Sequence, residues 1–312
     1  MRSLLFQVFL VLVLLVSRPV RAELPEIRIG FINELTGPVA SLGAVCASGI
    51  EIAMNTYAPG GQVQGIPVRL VIGDARDDVG ATLSEFRRMV DLERVHAVAS
   101  IRSKSAIPIN PLAEKSKIPV LGVVGSPEFL KTNKYAVRIF ASPERQARFE
   151  ADLAKRQGKR RAAIVMLEDE FTAALGRNLG AELRSSGVDV VYNETVLPQE
   201  TDFSTVISRV KRNGADAVYA HLLTRTGLFV RKFRELGAEG QIYAWYWIQQ
   251  PEQMQAAGES ALEGLIFSEI DSDKPRFKEA YHASYPGKEY NAAAYLCYVT
   301  MAAALQAAAA PD

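Results

Sequence analysis

Histidine is scarce and cysteine scarcer: the chain has three His and two Cys in 312 residues. His96, His221 and His282 lie far apart, so the ligand spacing of a zinc site is missing. Excess charge of one sign is missing too. Thirty-six basic residues face 35 acidic ones, a net of +1, which gives no electrostatic basis for binding nucleic acid or inserting at an anionic membrane. No G-x-G-x-x-G follows the first apolar strand, and neither G-x-x-x-x-G-K-[ST] nor G-x-S-x-G occurs. S-x-x-K at 208–211 falls inside a helical stretch without companion motifs and reads as a solvated face. Enzyme chemistry and a cofactor therefore have no motif to rest on. Long apolar runs are also lacking, with one exception at 4–16, behind Met1 and Arg2. It is too short to span a bilayer comfortably and leads into SRPVRAE, where Val20-Arg21-Ala22 fits a cleavage site before Glu23. Residues 1–22 thus read as a signal peptide, and no cysteine ends the run to suggest a lipoprotein anchor. The expectation is an exported chain with no membrane insertion after cleavage.

What is present is regular. At 312 residues the chain exceeds what one hydrophobic core usually supports, so two domains are expected. Short apolar strands are expected at 27–32, 68–72, 97–99 and 120–124, with helices between them. A segment at 135–143 reads as a crossing, after which strands at 162–167, 188–196, 217–221 and 242–244 repeat the pattern. Strands apolar on both faces and alternating with helices predict parallel sheets covered on both sides. The end differs, with helices at 274–285 and 291–309 and no clear strand between them. Cys46 and Cys297 both fall in helical stretches; a crosslink and two buried free thiols remain open alternatives.

In open parallel sheets, ligands bind beyond the carboxyl ends of the strands. The loops there include NELTGPVASLG, SIRSKS and GVVGSPE. Thr36 or Ser41 reads as a helix cap. Ser103 and Ser105 sit at a loop–helix junction, with Pro108 and Pro111 expected in a first turn rather than an interior. Ser126 before Pro127 and Glu128 is a further helix start. Each hydroxyl alone is a cap by default; three convergent helix starts with unpaired N–H donors favour a carboxylate. Asp74, Asp77, Asp78, Glu168, Asp169 and Glu170 in other strand-end loops read as caps or solvated groups.

The order of parts resembles the leucine-binding protein family, the type I periplasmic binding proteins of branched-chain amino acid ABC transporters. IRIGFINELTGPVASLG, GGQVQGIPVRLVIGDARDD, PLAEKSKIPVLGVVGS, RRAAIVMLEDEF, ETDFSTVISRVKRNGADAVY and GESALEGLIF carry the resemblance, which covers residues 27–310. It implies two Rossmann-like lobes, 23–142 with 272–312 and 143–271, closing on a small ligand. It also implies a monomer in the periplasm, delivery to an inner-membrane permease, and no catalysis. By position, the resemblance assigns the ligand carboxylate to Ser103, Val124 and Ser126, and the contact near the first helix to Leu42. Phe171 matches the aromatic that closes from the second lobe, and Leu222 and Leu223 fall at another contact.

The departures bear on the ligand. Where amino-acid binders place an acidic partner for the ammonium, this chain has Tyr246 between Trp245 and Trp247. A retained carboxylate anchor without that acid favours an apolar or aromatic carboxylate, because a buried unpartnered ammonium is costly; a branched-chain amino acid, with the aromatics simply packing between the lobes, is the alternative. Arg102 stands where some relatives carry a crosslinking cysteine, with Asp77 at the partner position. An Arg102–Asp77 ion pair is the default, and an inward Arg102 binding the ligand is the alternative. Relatives continue past this C-terminus and cross back to complete both lobes, so a truncated C-terminus is expected. The functional expectation is a solute-binding protein of an importer; a sensor module and an α/β enzyme are the alternatives.

Overall fold

Strand–helix alternation builds two sheets in the computed structural model, which describes residues 25–310. The signal-peptide reading at 1–22 lies outside the described residues. In the first half, β1 (Ile27–Asn33), α1 (Ala40–Tyr57), β2 (Gln62–Val63), β3 (Ile66–Asp74), α2 (Val79–Arg87) and β4 (Ala97–Ile101) follow one another. Then come α3 (Ser103–Ser116), β5 (Val120–Val123) and β6 (Ala136–Arg138). These strands form one sheet in the order β2-β3-β1-β4-β5-β6, parallel except for the short β2–β3 pair.

The second half runs α4 (Pro143–Arg156), β7 (Arg161–Leu167), α5 (Glu170–Ser185), β8 (Asp189–Val196), α6 (Ser204–Arg212) and β9 (Ala217–His221). It continues through α7 (Thr226–Glu235), β10 (Gln241–Trp245), α8 (Pro251–Ala257), α9 (Glu259–Leu262) and β11 (Ile266–Ser268). Its sheet has the order β11-β10-β9-β7-β8 and is parallel throughout. The chain then closes with α10 (Pro275–Ser284) and α11 (Ala292–Ala308).

Setting β2 aside, both sheets wind alike, with the second strand outside the first and the third on its other side. The winding direction therefore reverses between β1 and β4 and again between β7 and β9, which opens a crevice at each set of carboxyl ends. Local chemistry starts the helices where the loops end. Asp78 accepts from Ala81 N–H at 2.7 Å, Ser142 from Arg145 N–H at 3.2 Å and Asp169 from Phe171 N–H at 2.9 Å. Pro143 opens α4, where its missing N–H costs nothing.

Two expectations need correction here. Pro108 and Pro111 do not sit in a first turn: α3 runs through both. The helix survives because Ala106, Ile109, Asn110 and Ala113 are buried along its other side, while Lys104 and Pro111 lie on the exposed side, where water can take a freed carbonyl. Thr36 is not a helix cap either. Its hydroxyl donates to Asp74 Oδ2 at 2.7 Å, and the capping position of α1 is Val39, which offers no side-chain cap.

The chain crosses between the sheets at 139–142 and again at 269–274. After the second crossing α11 packs along α1. Gly49 makes that approach possible, since a Cβ there would lie 2.0 Å from the Ala294 carbonyl oxygen. Cys46 and Cys297 form a disulfide across this helix pair, with Cα atoms 5.3 Å apart, which decides between the two alternatives left by the sequence. A single apolar cluster runs from Ile29, Phe31 and Ile101 to Phe171, Trp245 and the second sheet.

Candidate functional site

Between the two sets of strand ends lies a small cavity of about 50 Å³. From the first half, Arg102 and Ser103 follow β4, Gly125 follows β5, and Leu42 reaches in from α1. From the second half, Phe171 follows β7, Leu223 follows β9, and Trp245, Tyr246 and Trp247 end β10. Phe140 enters from the first crossing. A wider groove along the two crossings is lined by Arg138, Phe149, Lys274 and Tyr295, among others, and shares Phe140 and Trp245 with the cavity. The inner cavity is the candidate because the strand-end loops of both sheets converge on it.

The aromatic rings make its floor. Phe171 lies 4.8 Å from Trp245 by ring centroids, and Phe140 stands edge-on to both at 5.7 Å. Such edge-to-face contacts are favourable beyond area burial alone. Phe171 also reaches across to the first half: a Cβ on Gly125 would fall 2.0 Å from its ring. Only glycine lets the ring lie against that backbone. Tyr246 is buried beside Trp245, and burial, followed by the Glu269 charge, pushes its phenol up, so it is a neutral hydroxyl at any ordinary pH.

The polar side is a network behind α3. Ser103 Oγ accepts the Ser126 N–H at 3.2 Å, and Ser126 Oγ accepts the Glu128 N–H at 3.2 Å. Ser103 keeps its own O–H to donate. The start of α3 has no side-chain cap, so its first N–H groups remain as donors at the cavity. Arg102 Nη1 donates to Asp77 Oδ1, and Lys104 Nζ stands 3.0 Å from Asp77 Oδ2. Asp77 N–H donates to Glu34 Oε2 at 2.6 Å, and Ser105 Oγ donates to Glu34 Oε1 at 2.6 Å. Burial raises the Glu34 carboxyl despite those bonds and the nearby Arg102 charge.

Of the residues singled out from the sequence, Leu42, Ser103, Phe171, Tyr246 and Arg102 meet at the cavity. Four do not line it. Val124 is fully buried in a separate cluster under the first sheet, while its neighbours Val123 and Gly125 face the cavity. Leu222 is likewise fully buried, and Leu223 takes the lining position. Ser126 is fully buried and engaged as a cap. Asp77 stands behind Arg102 as its ion-pair partner. Phe140 and Asp169 are lining residues that the sequence reading missed. The crossing segment was the available signal for Phe140, because a chain that passes between two sheets must flank the cleft. Asp169 is the one carboxylate of the lining among the described residues, and its Oδ1 is engaged by the Phe171 N–H. No group of three or more His, Cys, Asp or Glu among the described residues is placed to hold a metal.

A family model described as periplasmic binding protein matches residues 26–312. The Leu/Ile/Val-binding protein BraC3 of Rhizobium johnstonii is 27% identical over 297 residues, spanning 92% of this chain and 81% of the relative. The leucine-binding protein LivK of Thermotoga maritima superposes with a TM-score of 0.81 at 26% identity, over 90% of this chain and 82% of that one. A solute-binding protein of an ABC transporter from R. palustris, solved in complex with 4-hydroxybenzoate, gives a TM-score of 0.81 at 19% identity, over 91% of this chain and 81% of that one. At that identity the likeness is one of fold.

Proposed function

The chain belongs to the periplasmic binding protein family, whose members here are solute-binding proteins of ABC transporter type and not enzymes, and on that premise we propose that its cavity takes a small carboxylate with an apolar or aromatic body. The lobes are taken as 23–142 with 272–312 and 143–271, hinged at the two crossings, and the partner as an inner-membrane permease in the periplasm.

One observation carries the ligand class: the cavity pairs a donor-rich wall at the start of α3 with an aromatic floor, and its single lining carboxylate is engaged as a cap. The fold does not choose, because it serves a leucine-binding protein in one neighbour and a 4-hydroxybenzoate complex in another. The side chains favour one class. A carboxylate finds the Ser103 O–H and the free N–H groups of α3. An apolar or aromatic body finds Phe140, Phe171, Trp245 and Trp247. An ammonium would enter against rings and meet one carboxylate, Asp169, whose Oδ1 already accepts the Phe171 N–H, so its desolvation would be offset only in part.

Ligand that binds only the closed form stabilises it in proportion to its concentration over Kd. Thermal melts with benzoate, 4-hydroxybenzoate, 3-phenylpropionate and benzamide test the class. The expected result is a rise in Tm with at least one carboxylate and none with benzamide, which lacks the charge. Equal shifts with benzoate and benzamide would contradict a carboxylate anchor.

A further inference from the structure

Arg102 is a charged lining residue whose bonding is incomplete. One side of its guanidinium is tied, with Nη1 on Asp77 Oδ1, and its side chain is 12% exposed. Nε and Nη2 make no hydrogen bond among the described residues. The group faces the cavity, with Cζ 5.9 Å from the centroid of the Trp247 ring. Asp77 does not depend on Arg102 alone, because Lys104 holds its other oxygen and Glu34 receives its N–H. The backbone adds a second sign. Arg102 has φ 68 and ψ 142, a region that side chains other than glycine rarely occupy. A long cationic side chain kept in a glycine conformation, at the mouth of β4 and beside Ser103, needs a reason beyond a surface ion pair.

This rests on the reading that the cavity holds a small carboxylate. We propose that the untied edge of Arg102 grips that carboxylate together with the Ser103 hydroxyl, making Arg102 the residue that restricts the site to anions. A guanidinium matches a carboxylate with paired N–H donors. It stays charged throughout the accessible pH range. Its positive charge, stacked near Trp247, also opposes an incoming ammonium. Asp77 then holds the guanidinium in place, and Lys104 keeps Asp77 neutralised when Arg102 turns toward ligand.

Isothermal titration of the full chain tests this, with benzoate, 4-methylpentanoate, leucine and the neutral analogue benzamide as probes. Arg102→Gln is expected to weaken whichever carboxylate binds the unaltered protein by 30-fold or more, and to leave benzamide within threefold. Arg102→Lys should fall between, since an ammonium offers charge without the fork. Carboxylate affinity within threefold of the unaltered protein in Arg102→Gln overturns the assignment, and leaves the ligand reading standing if benzoate or 4-methylpentanoate binds. Leucine as the sole binder overturns the ligand reading, while its loss in Arg102→Gln still supports Arg102 as anchor. Binding of none of the three carboxylates overturns both. If Arg102→Gln does not fold, Arg102→Lys decides: it is expected to lose carboxylate affinity by more than threefold, and affinity within threefold of the unaltered protein would overturn the proposal.

Discussion

Glu150 is 2% exposed, yet every oxygen it carries has a partner. Oε1 accepts from Gln146 Nε2 at 2.9 Å and Ser268 Oγ at 2.7 Å, and Oε2 faces His221 Nε2 at 2.9 Å. Burial alone would raise this carboxyl, but the His221 charge and the hydrogen bonds outweigh it and hold it below its ordinary value. A depressed folded pKa gives stability that is present above the unfolded pKa and lost as pH falls through the folded one. The pair therefore stabilises the fold at neutral pH and weakens below the ordinary carboxylate value of 4.5. His221→Leu should cost about 3–5 kcal/mol at pH 7, because it leaves a buried charge unpaired. The loss should shrink near pH 4, where protonation of the unpaired Glu150 relieves it. Urea denaturation at both pH values checks this, and an equal loss at each would contradict it. At this scale, two of the residues that the sequence singled out, Ser103 and Phe171, reach the cavity lining. Val124 and Leu222 lie one position from the lining residues Val123, Gly125 and Leu223. Successive residues leaving a strand face opposite sides, so a shift of one moves a side chain from cavity to core.

Helices α1 and α11 show what sequence spacing cannot give. They are separated by more than two hundred residues, yet they share a disulfide and a close backbone approach at Gly49. Nothing in the periodicity of either helix brings Cys46 to Cys297, so both alternatives stayed open until the helices were placed. Gly49→Ala should push the pair apart, since its Cβ would lie 2.0 Å from the Ala294 oxygen. Overpacking of this kind costs roughly 1–3 kcal/mol. A lowered urea midpoint with unchanged slope is the expected result, and an unchanged midpoint would contradict the contact. The prolines of α3 are the converse case. Local rules place Pro108 and Pro111 near a helix start, but burial of Ile109, Asn110 and Ala113 holds the helix through both.

Across the whole molecule, the alternation of strands and helices was enough to read two parallel sheets and to direct attention to their carboxyl ends. The repeated winding order then sets the two crevices toward one cavity, a consequence of topology that no single loop encodes. What selects the ligand is a smaller set of facts: where the donors remain free, where rings lie, and whether a carboxylate is free to meet an ammonium. Leucine and 4-methylpentanoate share a branched body and a carboxylate and differ by the ammonium alone, so the pair isolates that last question. Titration calorimetry of the two against this protein is the most direct test of the central claim. The account predicts that 4-methylpentanoate binds at least tenfold more tightly than leucine; leucine binding tenfold more tightly than 4-methylpentanoate would contradict it.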